Sequence, residues 1–176
     1  VAGKQLDMEA IGGSSASVRS GMAQLTAETD EEAIAMARKV VAMLPANNMD
    51  EAVDLPRDDM NRELPALNAI EKLDDVRDLL RGVADLGDIV ELGEEFAPSM
   101  VTALGKIGGT TVGFIANQAA KDEGRLTVYG CKKAARFAAF CDCFSIPIIT
   151  VVDSMGMKIS TAPQGELSRA GAQLLF

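Results

Sequence analysis

Two runs of apolar and β-branched residues, Met100–Ile107 and Thr110–Asn117, meet at Gly108-Gly109. A pair of glycines between such runs is a two-residue hairpin connection, because the tight turn needs positive φ at its centre. A polar loop with a glycine follows, Lys121 to Gly124. Cys131–Phe144 then reads as a helix, with Ala134, Phe137, Ala138 and Cys141 on one side and Lys132, Lys133 and Arg136 as a basic flank. Ile146–Val152 is almost continuously apolar and is expected to be a buried strand, with Pro147 at its start, where a missing donor is tolerated. Asp153 to Gly165 is expected to be a loop, with a helix from Glu166 onward. Strand, helix, strand in that order predicts an α/β fold with a right-handed crossover.

Upstream the signals are local. Residues 1–25 are rich in Gly and Ser and are expected to be irregular. Thr29 or Asp30 caps a helix whose first turn is acidic and whose later turn is basic, as the helix dipole favours. Ile34, Ala37, Val41 and Leu44 recur at helical spacing and predict its buried face; Pro45 and Asn47-Asn48 stop it. Residues 49–68 read as an extended surface crossing. Asp74-Asp75 open a second helix that ends at Gly87, and Asp88–Leu92 is a short strand candidate.

Composition removes several function classes. The chain has 176 residues, enough for one core, and 48% of them are apolar. It has no His, which excludes His-based triads and His-bound metals. No Trp, one Tyr and a net charge of −9 argue against a nucleic-acid partner. The charge is uneven: residues 1–95 hold 21 acids and 9 bases, whereas residues 96–176 hold 5 acids and 8 bases, so an anionic ligand is better placed on the second half. No apolar stretch approaches the roughly 20 residues of a membrane span, and the opening lacks the basic-then-apolar pattern of a leader. Cys131, Cys141 and Cys143 are few, odd in number and clustered, which fits reduced thiols and a cytoplasmic protein; no metal is expected. The chain starts at Val1 and ends in an apolar run at Phe176, and is expected to be a piece of something longer. Acidic pairs such as Asp58-Asp59 and Asp74-Asp75 sit at turn and cap positions, and no Walker loop, nucleophile elbow or dinucleotide fingerprint is present.

The order of several segments is more specific. Ile107 to Gln118 (Ile-Gly-Gly-Thr-Thr-Val-Gly-Phe-Ile-Ala-Asn-Gln) precedes Lys133-Ala-Ala-Arg-Phe137, Phe140-Cys-Asp142 and Ile146-Pro147. Thr150-Val-Val-Asp153, Gly165-Glu166 and Arg169 to Leu175 follow, with Ile11-Gly-Gly13, Ser20-Gly-Met-Ala23 and Leu44-Pro-Ala-Asn-Asn48 upstream. In that order the chain resembles the carboxyltransferase subunit of biotin-dependent acyl-CoA carboxylases and decarboxylases. The resemblance implies a crotonase-like ββα superhelix, truncated at both ends. It implies that residues 1–27 close the N-terminal domain and form a linker, and that 28–176 are most of the C-terminal, biotin-side domain. It further implies CO2 exchange between carboxybiotin and an acyl-CoA, with biotin delivered on a carrier protein or domain, in a homo-oligomer such as a dimer or a trimer of dimers.

That chemistry builds negative charge on the thioester enolate and on the ureido oxygen of biotin, which pairs of backbone amides stabilise without a titrating side chain. The family's two amide-bearing Gly-Gly elements fall outside residues 1–176, so no catalytic residue is assigned here, and Gly12-Gly13 and Gly108-Gly109 read as turn glycines. Asn117, Gln118 and Asp153 stand at strand ends and are the candidates for the biotin-side wall; Lys106 is a candidate cation for a carboxylate or CoA group. Two other readings remain open. One is a non-catalytic oligomerisation and carrier-docking module; the other is a crotonase-fold hydratase or isomerase, which would need paired glutamates and has only Glu94-Glu95 to offer.

Overall fold

The computed structural model describes residues 7–50, 58–59, 61–64, 68, 74–158 and 164–175. The helices are α1 (Met8–Gly12), α2 (Ser14–Arg19), α3 (Asp30–Val41), α4 (Val76–Val83), α5 (Val128–Cys143) and α6 (Gln164–Leu175). The strands are β1 (Ile89–Glu91), β2 (Met100–Ile107), β3 (Thr110–Asn117) and β4 (Ile148–Val151). They form one sheet in the order β1-β2-β3-β4, antiparallel except for the parallel β3/β4 pair that α5 connects.

The hairpin forms where the glycines predict it. Gly108 and Gly109 have φ of 59° and 81°, and register runs from Ile107↔Thr110 to Met100↔Asn117. β2 and β3 are covered on both faces, so they carry apolar residues almost without alternation. On one face Leu104 and Ile115 pack with Ala134, Phe137 and Cys141 of α5; on the other Val101, Val112 and Phe114 pack with Val76 and Leu80 of α4.

Several expectations need correction. Residues 8–19 hold two short helices, because Asp7 caps one and Gly13 starts the next. α3 turns a different face inward from the one its spacing suggested: Met36 and Val40 are half-buried, while Ile34 and Val41 are 55% and 68% exposed; Leu44, just past its end, is partly buried as expected. Lys39 lies near that side of α3, where it pairs with Asp88 and donates to Ile89 O of β1. α5 begins three residues early because the Thr127 hydroxyl accepts from the Gly130 amide at 3.0 Å. β4 is not buried: Ile148 is 38% exposed, and among the described residues only β3 pairs with it. The basic flank of α5 is not uniform: Lys133, 5% exposed, pins the helix to Gly93 and Phe96, and Arg136 pins it to Gly21. Most of the predicted crossing at 49–68, and residues 159–163 of the predicted loop, lie outside the described residues.

Candidate functional site

Asn117 ends β3, and Val151, the last residue of β4, pairs with Ala116. The chain leaving both parallel strands therefore emerges at one end of the sheet, where α/β folds place their ligands. Asn117 is buried and donates to Gly124 O at 2.8 Å. Gly124, at φ 64°, lies so close to the Asp153 carbonyl that no side chain fits between them. Asn117, Gln118 and Asp153 are thus gathered around one turn. Lys106 is not with them: it pairs with Thr111, six residue steps along β3 from Asn117, or about 20 Å.

Gln118 is held from three sides. Its amide donates to Ser99 O at 3.0 Å, its Nε2 donates to Asp75 Oδ1 at 2.6 Å, and its Oε1 accepts from the Ala120 amide at 3.3 Å. Asp75 also caps α4 through the Arg77 amide at 2.8 Å. Burial pushes the Asp75 carboxyl up, but the Arg77 amide, the Gln118 carboxamide and the Arg77 charge together hold it below the usual carboxylate value. Arg77 in turn forks onto Glu91 at 2.5 and 2.9 Å, which raises its own affinity for the proton despite burial. The acidic pair read as a helix cap is a cap, and its second residue also anchors the end of β3.

Beside this layer lies a cleft of about 790 Å3. Phe96, Ser99, Thr127, Tyr129, Lys158 and Leu167 are among its lining residues. None of the four predicted site residues lines it; Gln118 stands behind Ser99, and Asp153 leads into the 153–158 segment that brings Lys158 to its rim. That segment is fixed by Leu126 N to Gly156 O (2.8 Å) and Lys158 N to Leu126 O (2.9 Å), and Lys158 Nζ pairs with Asp122 at 2.7 Å. The first turn of α5 opens on the cleft, and the amides of Val128 and Tyr129 have no acceptor within the helix. Phe96 and Tyr129 meet edge to face at 5.8 Å and supply an apolar wall. Such a space takes a ligand with an apolar body and a hydrogen-bonding oxygen at one end.

The carboxyl transferase domain family matches this chain across residues 1–176. The chain belongs to that family. It is 36% identical to the propionyl-CoA carboxylase beta chain of Roseobacter denitrificans and 35% identical to the methylmalonyl-CoA carboxyltransferase 12S subunit of Propionibacterium freudenreichii. Those matches cover 100% of this chain but only 36% and 35% of the two relatives, so the chain spans about a third of the length of the curated relatives it matches. A solved structure of transcarboxylase 12S with methylmalonyl-coenzyme A and methylmalonic acid bound superposes with a TM-score of 0.91 at 34% identity, over 99% of this chain and 35% of that one. The fold is therefore the crotonase-like one of the carboxyltransferases. A single-chain, multi-domain long-chain acyl-CoA carboxylase shares the fold at TM-score 0.79 and 22% identity.

The turn glycines carry no free oxyanion site. The Gly108 and Gly109 amides already donate to the Asp85 carboxylate at 2.9 and 2.8 Å. Glu94 and Glu95 are exposed and line a separate, acidic cleft with Lys39 and Arg81, not the one at Phe96. Among the described residues, no group of three His, Cys, Asp or Glu could hold a metal, and no helix is long and apolar enough to cross a membrane. Sequence reasoning missed Tyr129, Thr127 and Lys158 as cleft residues; the Thr127 cap signal was there to be read.

Proposed function

We propose that this chain is the biotin-side part of a carboxyltransferase that moves CO2 between carboxybiotin and an acyl-CoA. The observation that carries the proposal is the Phe96–Tyr129 cleft at the start of α5, whose apolar wall suits the thiophane ring and valeryl chain of biotin. Biotin arrives on a carrier protein or domain, and the reaction partner is the CoA thioester of a short acid. Residues 1–27 belong to the preceding acyl-CoA-binding domain and 28–176 to the biotin-side domain, in a cytoplasmic homo-oligomer. Asn117, Gln118 and Asp153 shape the site from behind rather than touch the ligand, and Lys106 takes no part in the cleft. The remote position of Glu94 and Glu95 argues against hydratase or isomerase chemistry.

Transfer of a labelled carboxyl group from methylmalonyl-CoA to free biotin tests the reading. The full-length protein that contains this chain is expected to transfer label, whereas residues 1–176 alone are expected to bind biotin without turnover. Turnover by residues 1–176 would place the oxyanion amides inside this chain and overturn the proposal.

A further inference from the structure

The loop of residues 93–99, whose 96–99 end lines the cleft, has an unusual backbone. Gly93 has φ 67°, and Ala97, which carries a side chain, has φ 47°. A left-handed alanine persists only where its surroundings over-determine it. The surroundings here converge on one side chain. Lys133, from α5, donates through Nζ to Gly93 O at 2.7 Å and Phe96 O at 3.0 Å. The Gly93 amide donates to Gln24 O at 2.7 Å, and Arg136, one turn further along α5, donates to Gly21 O at 3.0 Å. Gly21 lies against the Phe96 ring, where an added Cβ would come within 2.7 Å.

A buried cation is costly unless paired, and an aliphatic side chain in its place would not carry that cost. The charged groups around Lys133 do not pair with it directly. Glu91 of β1 and Glu94 of the loop attract it, Arg77 of α4 repels it, and its two short bonds go to neutral carbonyls. We infer that Lys133 is a positioning residue of the cleft, whose ammonium holds the 93–99 loop in the shape that presents Phe96 and Ser99 to the ligand. This rests on the biotin reading of the cleft for the ligand, but not for the loop. Ser99 O also accepts the Gln118 amide, so the hold on the loop extends to the end of β3.

The test uses the full chain labelled with 15N and 13C, and free biotin as the probe. In Lys133→Met the Gly93 and Phe96 amides, and that of Met100 where the loop enters β2, are expected to exchange at least tenfold faster, while the amides of β2 from Val101 onward and those of β3 keep their protection. Biotin is expected to bind at least fivefold more weakly. Lys133→Arg keeps a cation and its donors and is expected to bring both readouts within about twofold of wild type. Unchanged exchange in the loop of Lys133→Met, or failure of the arginine to restore it, overturns the inference. Should Lys133→Met not fold, the wild-type Lys133 Nζ resonance is titrated instead. The Gly93 and Phe96 carbonyl carbons are expected to shift with its midpoint, and carbonyls that ignore it overturn the inference. Wild type that binds no biotin while its loop responds as stated overturns the biotin reading and leaves the positioning role intact.

Discussion

At the scale of single residues, Lys133 has a cost that can be measured. Burial pushes its ammonium down to about 8; Glu91 opposes this, Arg77 adds to it, and Glu94 opposes it again. The unfolded chain keeps that proton up to about the ordinary 10.5, so between these values the unfolded state holds more protons and stability rises with pH. The whole gap is worth about 3 kcal/mol. Cys141 works the other way: burial raises its thiol from 9.0 to about 11, so its contribution is intact below pH 9.0 and falls as pH climbs toward 11. Cys131 is raised by burial as well and acts in the same direction. The interval from pH 8 to pH 9 therefore belongs to Lys133. Urea unfolding of the wild type is expected to gain up to about 1 kcal/mol across it. Lys133→Met is expected to lose that rise and to be the more stable protein at pH 7, as a site that trades stability for geometry should be. A flat wild-type profile would mean that the ammonium is not buried in solution.

At the scale of elements, β3 and α5 approach so closely that a glycine is required between them. A Cβ on Gly113 would fall 2.6 Å from Cys141 Sγ and 3.0 Å from the Phe137 ring. Gly113→Ala is expected to cost about 1–3 kcal/mol in urea unfolding through overpacking. Cys141→Ala in the same chain is expected to recover at least half of that loss, a coupling that a double-mutant cycle reads directly. This contact explains what could be read in advance. The hairpin and α5 were legible because Gly108-Gly109 and the Ala134, Phe137, Cys141 spacing are local signals, each fixed by a few neighbouring residues. The face of α3 was not, because two stripes compete on that helix and the choice rests on what lies beside it: Val40 packs against a cluster that includes Val90, Met100 and Leu104, fifty or more residues away. The site was legible only in part for the same reason. Asn117, Gln118 and Asp153 stand at strand ends, where topology brings them together, yet Gln118 is defined by Asp75 and Lys133 by Gly93 and Phe96. No periodicity in the sequence announces such partners.

At the scale of the whole molecule, the sheet is protected on one edge and, among the described residues, open on the other. β1 is three residues long, is preceded by Asp88 and has Lys39 of α3 reaching its Ile89 carbonyl, a short edge that resists pairing with another strand. β4 has Ile148 38% exposed, and the chain beyond it carries Val152 at 74% and Met155 at 70%. The run Ile146–Val152 has the composition of a strand with neighbours on both sides, which is why it read as buried, and among the described residues only β3 is beside it. An apolar strand with unpaired amides and carbonyls recruits another strand. The 176-residue chain on its own is therefore expected to associate as its concentration rises, in light scattering after size exclusion. Ile148→Lys puts a charge on that edge and is expected to shift the distribution to the monomer with no change in the far-ultraviolet dichroism. A wild-type chain that stays monomeric at high concentration would show that the 153–158 segment, already fixed to Leu126 by two backbone bonds, is cover enough for the end of β4.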